Sequence, residues 1–168
     1  MTSTPMHLRG KNGTGLELTI TGYETPRPDP RTHDPYTDWL RARVKVSTPR
    51  GSWEAVGSPL LTTEVTDFAF WLEAISVGGE PGEAEEFFEP LLRVEYRGHA
   101  GETIVLRIGF GLEFRPPWGK ETEVDAMDHL FDFELDPSEL LRAAQSLRAA
   151  AVEFPLRPKS THESRRGA

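Results

Sequence analysis

Hydrophobic and polar residues alternate along five segments of the chain, and this period of two predicts β-strands. Each segment has one apolar and one polar face, which is typical of an antiparallel sheet with one side on the core. A glycine-bounded turn at 98–101 joins the third segment to the fourth as a predicted hairpin. The five segments are residues 16–20, 40–46, 92–97, 104–114 and 131–135.

Two further segments have apolar residues at every third or fourth position, which predicts α-helices. The first predicted helix covers about 62–77, and Thr62 or Thr63 is placed to cap its start. The second covers about 137–152 and follows Asp136, an acidic residue suited to the N-cap position. Because each predicted strand keeps one polar face, the pattern favours an α+β layout over a doubly wound parallel sheet.

The segments between these elements predict loops. Four prolines between Tyr23 and Tyr36 indicate a loop between the first two strands, because proline cannot donate to a sheet. A glutamate-rich segment, 80–89, indicates a second loop. The order of elements predicts the α+β class, with a mostly antiparallel sheet or sandwich and two helices. We expect one domain over residues 1–158 and a disordered basic tail over 159–168.

Composition narrows the classes of function. The 168 residues include 27 acidic and 19 basic side chains and no cysteine, so disulfides, thiolate nucleophiles and cysteine-bound metals are excluded. The net charge of −8 argues against direct nucleic-acid binding, which requires a basic surface. No segment is apolar over the length of a membrane span, and the N-terminus lacks the apolar core of a signal peptide. We therefore expect a cytoplasmic protein.

The acidic residues are concentrated in one part of the sequence. Residues 60–139 contain 19 acidic and 5 basic side chains, while the two flanking parts together are basic. Within this stretch, the loops at 80–89 and 115–127 combine acids with aromatic residues, a composition suited to docking a basic protein. In the alternative interpretation, Phe87 and Phe88 belong to the core and the glutamates keep the loop soluble. The predicted partner-binding residues are Glu80, Glu83, Glu85, Glu86, Glu89, Trp118, Glu121 and Glu123.

The sequence contains no motif for nucleotide binding, nucleophilic catalysis or metal binding, so we predict no catalytic residue, no metal and no cofactor. His129 lies between Asp128 and Asp132, but strand alternation directs it away from Asp132. The sequence leaves two carboxylate pairs open as acid–base dyads: Asp34 with Asp38, and Asp125 with Asp128. The pattern also does not decide whether Tyr36, Trp39 and Trp53 are core or contact residues, although tryptophan is more often buried.

Several short motifs, taken in order, resemble the WapI-type immunity proteins of bacterial polymorphic-toxin systems. They extend from residue 8 to residue 158. The family pattern has Asn before a Trp-Leu pair, a position that Asp38 occupies here. The motifs are Asn12-Gly13, Ile20-Thr21-Gly22-Tyr23-Glu24, Asp34-Pro35-Tyr36-Thr37-Asp38-Trp39-Leu40, Gly51-Ser52-Trp53, Pro59-Leu60-Leu61-Thr62-Thr63-Glu64, Phe70-Trp71-Leu72, Glu89-Pro90 and Phe154-Pro155-Leu156-Arg157.

The resemblance implies a small, non-catalytic cytosolic protein that binds a toxin domain, commonly a nuclease, and blocks its active site. An acidic inhibitor suits such a toxin, because a nuclease needs a basic surface to hold phosphates. Two alternatives come from other classes of protein. One is a hydrolytic enzyme that uses a carboxylate pair in a cleft near the proline-rich loop. The other is a structural module whose acidic half packs on the basic half of a second copy, which would make it a homodimer.

Overall fold

A computed structural model describes residues 3–79, the backbone of 84–86, and residues 91–159. The predicted tail, 159–168, therefore lies outside the described residues except for Lys159. The first antiparallel sheet has the strand order β1-β2-β3-β4. Its strands are β1 (Met6–Arg9), β2 (Gly15–Tyr23), β3 (Trp39–Thr48) and β4 (Gly51–Leu61).

A second antiparallel sheet follows with the order β5-β6-β7-β8. It contains β5 (Ala84–Glu86), β6 (Leu92–Ala100), β7 (Thr103–Phe110) and β8 (Leu130–Leu135). The two helices are α1 (Thr62–Ser76) and α2 (Pro137–Glu153), which pack against each other. The predicted α+β class and both predicted helices are confirmed. Neither helix is long and apolar enough to cross a membrane.

The alternating strands place one apolar face of each sheet in a common core. In β3, the side chains of Leu40, Ala42, Val44 and Val46 are buried, while the arginines and the lysine between them are exposed. Trp53 of β4 connects the sheets, since its ring lies 5.4 Å from the ring of Phe110 in β7. The helices cover the same core, with α2 against β1 and α1 directly after β4.

Three local predictions are wrong. The strand predicted over 104–114 ends at Phe110, because the chain turns at Leu112 into a 3-10 turn that buries Phe114 against β4. The loop predicted at 80–89 contains the short strand β5, which adds to the edge of β6. Neither threonine caps α1, since Leu61 occupies the N-cap position and Glu64 accepts a hydrogen bond from the Leu61 N–H at 2.8 Å.

Strands β1 and β4 are not among the five predicted strands, and the turn that follows β1 links the two sheets. This turn places Asn12 beside β8, where its Nδ2 donates to the Asp132 carbonyl at 2.8 Å. Its Oδ1 accepts from the Glu134 N–H at 3.3 Å, and the Lys11 N–H donates to the Glu134 carbonyl at 2.7 Å. The Asn12 amide thus pairs with the free edge of β8 as a peptide group of a further strand would.

We expect Asn12→Ala to lower the free energy of unfolding by about 1–2 kcal/mol, because two hydrogen bonds to the β8 backbone are lost. Lys11→Ala is the matched control. Lys11 keeps its backbone bond to Glu134 and loses an exposed ion pair with Asp136, so its effect should stay below about 1 kcal/mol. Urea unfolding followed by circular dichroism measures both, and equal losses would show that Asn12 does not join the sheets.

Candidate functional site

The predicted binding residues fall into a described and an undescribed part. Glu80, Glu83 and Glu89 lie outside the described residues, as do Phe87 and Phe88. Glu85 and Glu86 belong to β5, whose backbone pairs with β6 in the register Glu85 to Val94 and Glu86 to Arg93. The described part of this segment, 84–86, therefore forms the outer edge of the second sheet.

Leu91, which follows the glutamate-rich segment, contacts the chain just before the second predicted loop, 115–127. The Leu91 carbonyl accepts a hydrogen bond from the Gly111 N–H at 3.0 Å, directly before the 3-10 turn Leu112–Phe114. Leu112 adopts φ 48°, a left-handed backbone conformation uncommon for a leucine. Gly109 is required nearby, because a Cβ atom there would lie 2.2 Å from the Ala126 carbonyl oxygen. These contacts fix where the loop at 115–127 begins and ends.

Trp118 is half-buried and packs inward from this loop. Its ring lies edge-on to the ring of Trp53 at 5.3 Å, and the guanidinium carbon of Arg50 lies 5.2 Å from its ring centre. Gly51 makes room for it, since a Cβ atom there would come within 2.8 Å of the indole. Trp118 therefore anchors the loop to the core, and only part of the indole is open to a partner.

Glu121 and Glu123 occupy different environments in the same loop. Glu121 is exposed and lines a cleft of about 510 Å³ together with Glu113, Arg115 and the prolines at 116 and 117. Glu123 is half-buried: its Oε2 accepts from the Lys120 N–H at 3.1 Å and lies 3.0 Å from Nε2 of the buried His129. Glu121 is thus open to a partner, while Glu123 is partly engaged by the chain itself.

Glu113 is an exposed acid that the sequence pattern did not single out. The alternating pattern had placed it inside a strand, whereas the 3-10 turn projects it between two clefts. The second cleft measures about 350 Å³ and also contains Glu24, Arg41 and Val56. Neither Glu113 nor Glu121 forms an ion pair with another described residue. Glu113 therefore adds a second open carboxylate beside Glu121 of the loop at 115–127.

Three of the four carboxylates considered as dyads, Asp34, Asp38 and Asp125, are engaged in structural contacts. Asp38 is buried and forms a two-point ion pair with Arg157, while Asp34 accepts from the Tyr36 N–H at 3.0 Å. Asp125 similarly accepts from the Met127 N–H at 3.0 Å. Because the Arg157 guanidinium neutralises Asp38, the pair of Asp34 and Asp38 is not available as a free acid and base. No group of three or more metal-ligating side chains occurs in the described part of the chain.

The three aromatic residues left undecided by the sequence take three different positions. Trp53 belongs to the core, and its Nε1 donates to the Phe114 carbonyl at 2.9 Å. Trp39 is half-buried at the start of β3. Tyr36 is exposed over 69% of its surface, on the 3-10 turn Pro35–Thr37 of the proline-rich loop. Tyr36 is therefore a surface residue, and it lines a separate cleft with Pro35 and Leu156.

Arg157 holds the proline-rich loop against the end of the chain. Its guanidinium lies over the ring of Tyr23, 3.8 Å from the ring centre, and also donates to the Thr25 carbonyl at 3.0 Å. The Tyr23 hydroxyl donates to the Pro155 carbonyl at 2.6 Å. Burial raises the pKa of Tyr23 above its usual 10.0, although the nearby Arg157 charge acts in the opposite direction. Tyr23 therefore stays neutral as a donor.

A comparison with models of protein families matches residues 7–155 of the chain to the immunity protein WapI-like family. The match covers most of the chain and includes both sheets, both helices and the cleft at 112–121. A comparison with curated proteins finds no match.

Proposed function

The chain belongs to the WapI-like immunity protein family, and on that premise we propose that it binds a cognate toxin domain in the cytoplasm and neutralises it. We further propose that the toxin is a nuclease and that this chain acts without catalysis of its own. The family match over residues 7–155 carries the proposal of neutralisation. The proposals that the toxin is a nuclease and that it binds an acidic face are based on the charge of this chain.

The proposed binding face consists of the loops at 80–89 and 115–127, which we call the acidic loops. The stretch that contains them, 60–139, has 19 acidic and 5 basic residues. Most described acids of the outer sheet faces are paired within the chain, such as Asp132 with Arg107 at 2.8 Å. Glu113 and Glu121 have no such partner among the residues the structure describes. An unpaired carboxylate can bind a cationic surface without first giving up a partner within the chain, and complementary charge steers the encounter.

A nuclease supplies a matching surface, because it must present lysine and arginine side chains to hold the phosphates of its substrate. A protein that places carboxylates on those side chains competes directly with nucleic acid. In this proposal Trp118 fixes the loop conformation from the core side and contributes its open edge. Glu121 contacts the toxin directly, and Glu123 does so through Oε1, the oxygen that is not directed at His129.

The first experiment mixes the purified chain with the toxin domain encoded beside its gene. We expect a one-to-one complex by size-exclusion chromatography and loss of the toxin's nuclease activity at equimolar chain. Absence of a complex at micromolar concentrations of both proteins would contradict neutralisation by binding. A complex with full nuclease activity would contradict the proposed masking of the active site.

Electrostatic steering predicts a specific salt dependence. Between about 50 and 500 mM NaCl we expect association to slow by roughly tenfold or more, with a smaller change in dissociation. Glu121→Gln should weaken binding by about two- to fivefold at low salt, as expected for one exposed charge pair. Glu102→Gln is the control, because this exposed glutamate lies in the turn at the opposite end of β7. An affinity independent of salt would exclude the acidic loops as the binding face.

A further inference from the structure

A separate cleft of about 220 Å³ lies between the proline-rich loop and the start of β3. We call it the proline-loop cleft. It does not include any residue of the acidic loops, and it adjoins the cleft beside β4 through Glu24 and Trp39. Its chemically distinctive lining residues are Glu24, Asp29, His33, Asp34, Asp38 and Trp39.

The carboxylates of the proline-loop cleft differ in whether a cation already neutralises them. Asp38 is bound by Arg157, and Asp29 lies 3.4 Å from Nε of Arg31. Glu24 and Asp34 are exposed and form no ion pair with a residue in the described ranges. Asp34 uses one oxygen to accept the Tyr36 N–H, which leaves its second oxygen open. Two negative charges of this cleft therefore have no cationic partner within the described chain.

His33 is a second, independent feature of the cleft that suits a ligand. Its side chain is only 8% exposed, and Nε2 lies 3.9 Å from Asp38 Oδ2, beyond hydrogen-bond distance. No described residue gives this buried nitrogen a hydrogen-bond partner. Buried polar atoms are almost always paired, so an unpaired one in the lining of a cleft is suited to a contact with a group from outside the chain. The carboxylate oxygens of Glu24 and Asp34, which line the same cleft, are hydrogen-bond acceptors. The cleft thus offers hydrogen-bond acceptors and suits a ligand that carries hydrogen-bond donors.

The same loop shows which donor its chemistry suits, since it already binds the guanidinium of Arg157. The partners of that guanidinium are the Asp38 carboxylate, two backbone carbonyls and the face of the Tyr23 ring. The proline-loop cleft offers two features of the same kind, the carboxylates of Glu24 and Asp34 and the half-buried indole of Trp39. A planar cation with five donors fits such a set better than the compact ammonium of lysine.

We propose that the proline-loop cleft receives an arginine side chain of the toxin domain. The inference rests on the proposed function for the source of the arginine. It adds a contact outside the acidic loops, on a loop that the ion pair between Asp38 and Arg157 holds in place before binding. A preformed pocket of this kind contributes specificity, because a partner without an arginine at that position leaves two carboxylates uncompensated.

The test uses the full chain and a small probe, N-acetyl-L-arginine amide. Nuclear magnetic resonance of the isotope-labelled protein follows the His33 ring and the backbone amides of residues 24–39 during titration. N-acetyl-L-citrulline amide is the matched neutral probe, because it has nearly the same shape and no charge. We expect saturable shifts with the arginine probe at these positions and at most a small fraction of that response with citrulline.

Two variants connect the response to the cleft. Glu24→Gln and Asp34→Asn should each reduce the affinity for the arginine probe by about two- to fivefold, as expected for one partly exposed charge. Asparagine retains the capping bond of Asp34, so the local fold is kept. Glu102→Gln removes an exposed charge far from the cleft and should leave the affinity unchanged.

Shifts that do not saturate, that are equal for both probes, or that map outside residues 24–39 would overturn the inference. Toxin binding with no arginine response in the cleft overturns this inference and leaves the proposed function intact. A saturable arginine response in a chain that does not bind the toxin shows a guanidinium site, contradicts the proposed function and overturns the assignment of the arginine to a toxin.

Discussion

Replacement of Arg157 by leucine is expected to lower the free energy of unfolding by about 3–5 kcal/mol, the range for removing one partner of a buried ion pair. Asp38 is 4% exposed, and Arg157 is its guanidinium partner, with Nε 2.7 Å from Asp38 Oδ2. Leucine retains part of the apolar packing but leaves a buried carboxylate without a counter-charge. Urea unfolding followed by tryptophan fluorescence measures the loss.

Two further variants separate the ion pair from other effects. The double variant Asp38→Asn with Arg157→Leu should recover more than half of the loss, because no charge is then buried without a partner. Arg31→Leu removes an arginine whose side chain is 86% exposed, and it should change stability by less than about 0.5 kcal/mol. A loss below about 1 kcal/mol in Arg157→Leu would show that water solvates Asp38 and that the pair does not hold the loop.

Replacement of Trp53 by alanine is expected to cost about 3–5 kcal/mol, the range for deleting a buried aromatic side chain. Trp53 contacts the second sheet through Phe110 and Phe131, with ring centres 5.4 and 5.8 Å away. It also contacts Trp118, the anchor of the loop at 115–127. We therefore expect Trp53→Ala both to destabilise the chain and to loosen that loop.

Trp53→Phe and Phe70→Ala are the matched comparisons for this prediction. Phenylalanine retains a buried ring but loses the bond to the Phe114 carbonyl, so a loss of about 1–3 kcal/mol is expected. Phe70 is 69% exposed on α1, and its removal should change stability by less than about 0.5 kcal/mol. Circular dichroism is the suitable probe, since one of the four tryptophans is replaced. Similar losses for Trp53→Ala and Phe70→Ala would contradict the assignment of Trp53 to the core.

The sequence predicted the local elements well where periodicity was long. The helix at 62–77 ends one residue earlier in the structure, and Phe70, outside the apolar stripe, is exposed. Prediction failed where tertiary contacts override the local pattern. Leu112 and Phe114 continue the apolar alternation of β7, yet the chain turns there because Phe114 packs against β4. Strand β1 has only four residues and gives too short a pattern to recognise.

For the candidate site too, the sequence predicted the local features but not those that depend on tertiary contacts. The sequence identified an acidic stretch and a proline-rich loop, because charge and proline content are local properties. It did not distinguish Glu121, which is open, from Glu123, which faces His129, since that difference depends on a contact made after folding. It also gave Asp38 no structural role, because its partner Arg157 is 119 residues away in the chain.

The sequence by itself determined the α+β class, the two helices and the excess of negative charge, because hydrophobic periodicity and composition act over a few neighbouring residues. Only the tertiary structure decided which charges face solvent without a partner. Pairs such as Asp38 with Arg157 join distant parts of the chain, and burial sets whether a carboxylate is neutralised or open. Glu24, Asp34, Glu113 and Glu121 line clefts without an internal cation in the described residues, and this arrangement is what an incoming basic partner would meet.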